Sequence, residues 1–182
     1  MDKKKITKTV RCIVGIAFLI PLLIFTLLLM GRTGWKQLDT DNFRIYHHMW
    51  SGDTIVADYY WDGDESDMTV VIPDEIDGKK LDSLGGAVWE GQVMFNIEIP
   101  DDVRKNGEFN FTVKLGKNIK HAEHFFYSEQ FRDEDYGIDF KVTCRYEVDE
   151  DNKWLYSKDG RLYDKKTDRP VGDVPEWQSQ PL

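Results

Sequence analysis

The residues of this chain whose types could do chemistry are two histidine pairs, an acidic run, one cysteine and a set of aromatics. His121-Ala122-Glu123-His124 sets two imidazoles three residues apart. On a helix they would share a face, and imidazole is a good zinc ligand. Two ligands do not complete a site, and the order is not the H-E-x-x-H of zinc hydrolases. His47 and His48 are adjacent, so on a strand they point to opposite faces. Asp62, Asp64, Glu65 and Asp67 offer the oxygen ligands that calcium prefers, without the order of a calcium loop. A solvated turn is the simpler reading. Cys144 with a distant histidine would make a thiol nucleophile pair, but it lies in an alternating apolar run and reads as a buried structural thiol. The chain has no G-x-S-x-G, P-loop, G-x-G-x-x-G or C-x-x-C pattern. Asn110-Phe111-Thr112 is an N-glycosylation triplet, of consequence in a eukaryotic secretory pathway. No catalytic residue, metal or cofactor follows from these spacings.

The aromatics are more informative. Trp50, Tyr59, Tyr60, Trp61, Trp89, Phe125, Phe126, Tyr127, Trp154 and Tyr156 crowd a small chain. Strand alternation turns some of them outward, where rings anchor protein or sugar ligands. Trp50, Tyr60, Trp61 and Trp154 are the candidates. The competing role is to fill a core short of leucine.

Something must position these rings, and the chain divides clearly. Residues 1–12 carry Lys3, Lys4, Lys5, Lys8 and Arg11 against Asp2, whereas the whole chain has a formal net charge of -9. The remainder is therefore strongly acidic, a poor match for nucleic acid. Ile13 to Met30 holds no charge. As a helix that run reaches about 27 Å, near the hydrocarbon thickness of a bilayer. It is longer than a signal-peptide core and lacks an A-x-A cleavage pattern, which favours a retained anchor over residues 13–31. Five basic residues precede the span, and Arg32, Lys36 and Arg44 follow, so the N-terminus is expected inside and the domain outside. Trp35 suits the headgroup region. Cys12 and Cys144 then lie on opposite sides of the membrane, and packing must hold the fold.

Residues 32–41 read as a polar stalk, 42–170 as a β-rich domain, and 171–182 as a tail that lies along the surface or is disordered. Residues 43–48 and 54–61 read as strands around a Ser51-Gly52-Asp53 turn. In the second, Ile55, Ala57, Tyr59 and Trp61 fall on one face. A pattern then recurs: Val70-Val71-Ile72-Pro73-Asp74-Glu75-Ile76, Ile97-Glu98-Ile99-Pro100-Asp101-Asp102-Val103, Val113-Lys114-Leu115-Gly116-Lys117-Asn118-Ile119, and a looser copy at 140–146. Each is a short strand with one apolar face, ended by a breaker. Recurrence of this kind predicts a solenoid. The uneven spacing, and the Lys105-Asn106-Gly107-Glu108 turn signal, leave an antiparallel hairpin of 97–103 with 109–115 as the alternative.

Residues 71–85 resemble the repeat of BspA-like leucine-rich-repeat surface proteins, roughly V-x-I-P-x-x-I-D-G-x-x-V-x-x-I-G-x-x-A-F, with Val88 and Trp89 in place of the final A-F. Residues 148–164 are similar to a second signature of that family, D-x-N-x-x-Y-x-S-x-D-G-x-L-Y. Ala122 and Glu123 depart from the pattern in the third copy. The resemblance implies a bacterial surface protein whose short β-solenoid of degenerate leucine-rich repeats binds other molecules. The expectation is thus a transmembrane helix followed by a mainly β domain, with an antiparallel sheet as the alternative architecture. Its function would be a non-catalytic, membrane-tethered module for an extracellular protein or glycan. Two other classes stay open: a structural or regulatory membrane protein acting through its anchor helix with neighbouring membrane proteins, and a surface hydrolase using unlinked carboxylates.

Overall fold

The computed structural model describes residues 17, 19–27, 34–88, 91–104, 107–133 and 137–172. The basic segment 1–12, part of the expected anchor, Trp89, Lys105 and Asn106 of the expected turn, and the tail from 173 onward lie outside the described residues. Residues 19–27 are helical, and their large apolar side chains are all more than half exposed. The Thr26 hydroxyl returns a hydrogen bond to the Leu22 carbonyl at 2.8 Å. Among the described residues no helix is long and apolar enough to cross a membrane.

The rest is mainly β. In chain order the strands are β1 (Trp35–Asp39), β2 (Phe43–His48), β3 (Thr54–Tyr60), β4 (Thr69–Ile72), β5 (Glu75–Ile76) and β6 (Lys79–Lys80). Next come β7 (Ser83–Leu84), β8 (Gly86–Val88), β9 (Gly91–Val93), β10 (Asn96–Glu98), β11 (Glu108–Leu115) and β12 (His121–Ala122). The last are β13 (Ser128–Asp133), β14 (Ile138–Val148), β15 (Leu155–Lys158), β16 (Arg161–Asp164) and β17 (Arg169–Pro170).

Antiparallel pairing joins β1 to β2, β2 to β3, and β13 to β14, and builds the small hairpins β5–β6, β8–β9 and β15–β16–β17. Parallel pairing makes two further ladders. In the first, β11 lies between β4 and β14. Val70, Val113 and Tyr146 stand side by side, as do Ile72, Leu115 and Val148. In the second, β7 lies between β3 and β12, aligning Val56, Leu84 and Ala122. The chain passes from the first ladder to the second twice, from β4 to β7 and from β11 to β12. The β5–β6 hairpin lengthens the earlier passage.

This pairing corrects two expectations. Residues 97–103 do not form a hairpin with 109–115, because β10 runs parallel to β3 and both edges of β11 are taken by β4 and β14. The looser copy at 140–146 belongs to one long strand, and its residues 146–148 are the ones that meet 113–115. Of the residues expected as a polar stalk, 35–39 form the edge strand β1. Each correction has one cause: short apolar alternations specify a buried face but not a neighbour.

The core draws on both ladders in one apolar cluster, with Ile45, Val56, Leu81, Leu84, Phe95, Val113, Ile119, Tyr146 and Leu162 fully buried. Aromatics fill much of it. Trp61 meets Phe109 and Phe111 edge-on at 5.7 and 5.2 Å. Tyr146 meets Phe125 and Tyr127 edge-on, and its hydroxyl donates to the Phe126 carbonyl at 2.7 Å. Buried Asn152 closes the end of the stack beside β15, and Val171 is tied in by its carbonyl, which accepts the Tyr127 hydroxyl at 2.9 Å.

Candidate binding surface

The outward side of β1, β2, β3 and β10 gathers a set of planar polar groups and two tyrosines. Cross-strand register brings them together: Gln37 is opposite Tyr46, Asp39 opposite Arg44, Arg44 opposite Asp58, and Asn96 beside Asp58. A β-bulge makes the last placements possible. Ile45 pairs with Val56 whereas Arg44 pairs with Asp58, which leaves Ala57 extra. Val56 and Asp58 would share a face under strict alternation. The inserted residue turns them to opposite faces, as bulges do. After the bulge Asp58 and Tyr60 point outward, and Tyr59 and Trp61 point inward.

The bulge explains two of the sequence expectations at once. Ile55, Ala57, Tyr59 and Trp61 do not share a face. Trp61, expected as an exposed ring, is 4% exposed and belongs to the core. Tyr60 is half-buried and presented on the polar side. Trp50 lies at the β2–β3 turn and is 63% exposed. Trp154 is 37% exposed, follows β14, and has the Lys120 ammonium 5.9 Å from its ring. These rings do not converge. β3 alone separates Trp50 from Tyr60 by roughly 20 Å, at about 3.3 Å per residue.

Around Tyr60 the hydrogen bonds form a connected net. Arg44 donates from Nε to Asp39 at 3.0 Å and from Nη1 to Asp58 at 2.8 Å. Its guanidinium lies 5.6 Å from the centre of the Tyr60 ring. The Tyr60 hydroxyl donates to Asp39 at 3.3 Å, and the Gln37 amide donates to the same carboxylate at 2.9 Å. Tyr46 donates to Gln37 at 3.2 Å, and Asn96 to Asp58 at 3.4 Å.

Electrostatics divides the two carboxylates. Burial raises Asp58 above its ordinary pKa against the attraction of Arg44. The Gln37 hydrogen bond, with help from Arg44, lowers Asp39. Burial works against the Arg44 charge, but Asp39 and Asp58 hold its pKa above the usual arginine value. Opposed carboxylate shifts are the pattern of an acid–base pair. Asp58, however, is 5% exposed and both its oxygens are engaged by Arg44 and Asn96. That geometry holds the Arg44 guanidinium in place beside the Tyr60 ring.

Asn96 also lines a neighbouring concavity of about 250 Å³ with Ile97, Glu98, Ile99, Arg104, Phe131 and Phe140. Phe131 and Phe140 stack at 4.9 Å, and Arg104 lies over Phe140 at 5.7 Å. Sequence reasoning missed Arg44, Asp58, Asn96 and Arg104. The available signal was the pair of opposite charges at 44 and 58, each inside a strand with no other acidic, lysine or arginine residue.

The other sequence candidates have local roles. In the acidic run, Asp62 accepts the Asp64 N–H, Asp64 accepts the Ser66 N–H and hydroxyl, and Asp67 accepts the Thr69 N–H. These are turn-forming bonds. His121 is exposed on β12, and His124 adopts a positive φ of 52°. His47 and His48 face opposite ways: His47 contacts Thr54 at 2.9 Å, and buried His48 contacts Ser51 at 2.8 Å. Among the described residues no three histidine, cysteine or acidic side chains are grouped to hold a metal. Cys144 is buried, and its burial pushes the thiol up to about 12. No protein-family model, curated protein or solved structure matches the chain.

Proposed function

We propose that this chain is a non-catalytic binding module tethered to a cell membrane. Its N-terminus is cytoplasmic, and its β domain captures an extracellular protein or glycan. The observation that carries the reading is the net around Arg44. It fixes a tyrosine ring, a guanidinium and amide groups on one outward face, beside a pocket lined in part by Phe131 and Phe140. Rings flanked by fixed planar donors and acceptors suit sugar hydroxyls and peptide groups alike. The acidic balance of the chain argues against nucleic acid. The uncharged run from Ile13 to Met30 and the exposed apolar side chains of the 19–27 helix support the tether. The two parallel ladders, each crossed by successive passages of the chain, support a short solenoid of the leucine-rich-repeat type.

The test is ligand capture by the full-length protein in lipid nanodiscs on glycan and peptide arrays. Tyr60→Ala and Arg104→Ala should each abolish capture while circular dichroism stays unchanged. Capture that survives both substitutions sinks the assignment of this face. Replacing residues 13–31 with an unrelated span should leave capture intact; loss there favours the regulatory reading, in which the anchor itself contacts neighbours. Protease removal of a C-terminal tag from intact cells tests the topology.

A further inference from the structure

The turn between β2 and β3 carries two large apolar side chains that the domain leaves uncovered, Met49 at 59% and Trp50 at 63% exposure. Single exposed apolar residues are ordinary. What distinguishes this pair is where the fold pins it. The Met49 N–H donates to the Gly34 carbonyl at 2.8 Å. Trp35 is registered opposite His48, and their rings are 5.0 Å apart. A Cβ on Gly34 would fall 2.4 Å from Cδ1 of Trp50, so the indole rests against the backbone of residue 34.

The turn beneath these side chains is closely held. His48 donates its N–H to Asp53 at 2.8 Å, Gly52 donates to the His48 carbonyl at 2.9 Å, and the Ser51 N–H donates to His48 Nδ1 at 3.1 Å. These bonds fix the shape of the tip, and the Met49–Gly34 bond and the Trp35–His48 pairing tie it to the start of β1.

Gly34 is four residues beyond Met30, the last residue of the uncharged apolar run. Four residues advance about 6 Å as helix and at most about 14 Å when extended. The headgroup layer on each side of the hydrocarbon is roughly 5–8 Å deep. We infer that Met49 and Trp50, with Trp35 beside them, form a second membrane contact, seated in the headgroup layer of the bilayer that holds the anchor. This rests on the tether proposed above.

The chemistry of the tip fits that layer. Indole rings favour it, since they pair an apolar body with one N–H donor. Lys36 is exposed next to Trp35, and Arg32 precedes it in the chain, so cations for lipid phosphates lie close in sequence. The contact gives the domain a fixed attitude. β3 leads away from the tip, so Tyr60 and its net are held about 20 Å from it.

The experiment uses full-length protein with Cys12→Ser, reconstituted in vesicles of phosphatidylcholine and phosphatidylglycerol. A nitroxide is placed at Met49→Cys or, for reference, at Val71→Cys, where the native side chain is 57% exposed. Flotation after a carbonate wash is read first, then relaxation of the label by oxygen and by a water-soluble nickel chelate. The expected result is flotation with an oxygen-to-nickel ratio several-fold higher at 49 than at 71. In unlabelled protein, lipids brominated near the headgroup should quench tryptophan emission, and Trp50→Phe should remove part of that quenching. Protein that floats while the label at 49 gives the same ratio as at 71 overturns the hairpin contact and leaves the anchor standing. A label at 49 shielded from both reagents overturns it too, because protein then covers the tip. Protein that fails to float removes the anchor, and the hairpin contact with it.

Discussion

The side-chain amide of Asn152 donates to the main-chain carbonyl of Ile119 at 2.8 Å, although the two residues are 33 apart in sequence. The same amide reaches the Gly116 carbonyl at 3.0 Å, and the Asn152 carbonyl oxygen accepts the N–H groups of Trp154 and Leu155, each at 2.8 Å. One buried side chain thus satisfies four main-chain groups where the end of the parallel stack meets the C-terminal hairpin. Asn152→Ala removes the partner of all four, and two of them, the Ile119 carbonyl and the Leu155 N–H, are in buried bonds. The expected loss is about 3 kcal/mol, read as a shift in the urea midpoint with an unchanged slope. Asn152→Asp keeps the acceptor and loses both donors, so it should fall between the two. An alanine variant as stable as the wild type would deny Asn152 this role.

Gly85 is the tightest approach between the successive passages. Its φ is 65°, and a Cβ there would lie 1.9 Å from the Glu123 carbonyl oxygen. That neighbour is backbone and cannot swing aside. Gly85→Ala should prevent folding or cost more than about 3 kcal/mol. Gly78→Ala, at φ 72° in open space, should cost only about 1 kcal/mol. Thermal unfolding of the pair separates backbone strain from collision.

Asp58 gives the protein a signature in pH. Its folded pKa is raised by burial above its ordinary 3.8. In the range just above 3.8 the folded state keeps a proton that the unfolded chain has released. The contribution of this group therefore falls as pH rises through that range. Asp39, which is lowered, acts in the opposite sense: its contribution is present above 3.8 and is lost as pH falls through its depressed value. Asp58→Asn removes the first effect alone. The stability of wild type relative to Asp58→Asn should increase as pH falls from neutral towards 3.8. A difference that does not vary with pH would show that Asp58 titrates as it does in the unfolded chain.

Cys144 should be chemically silent in the native state. Burial raises its thiol to about 12, and the nearby Tyr146 only partly offsets this. Thiolate is the reactive form. With Cys12→Ser, a disulfide reagent at neutral pH should leave the folded protein unmodified and react fully once urea unfolds it. Rapid modification of the folded protein would place the thiol at the surface.

The sequence by itself determined the pieces. Its alternations marked β2 and β3, its breakers ended the short strands after Ile72 and Leu115, and its charge pattern separated a basic N-terminus from an acidic β-rich remainder. These are local properties, set by the side-chain period of a strand and by what glycine and proline do to backbone. Tertiary structure decided the neighbours. Val113 pairs with Val70 and Tyr146, and Ile97 pairs with Tyr59. Many apolar alternations in one chain fit one another equally well, and only simultaneous packing selects among them. The candidate surface depended on the same selection. One extra residue at Ala57 turned Asp58 and Tyr60 outward and sent Trp61 into the core. A bulge is defined by two strands together, so neither strand read alone could reveal it.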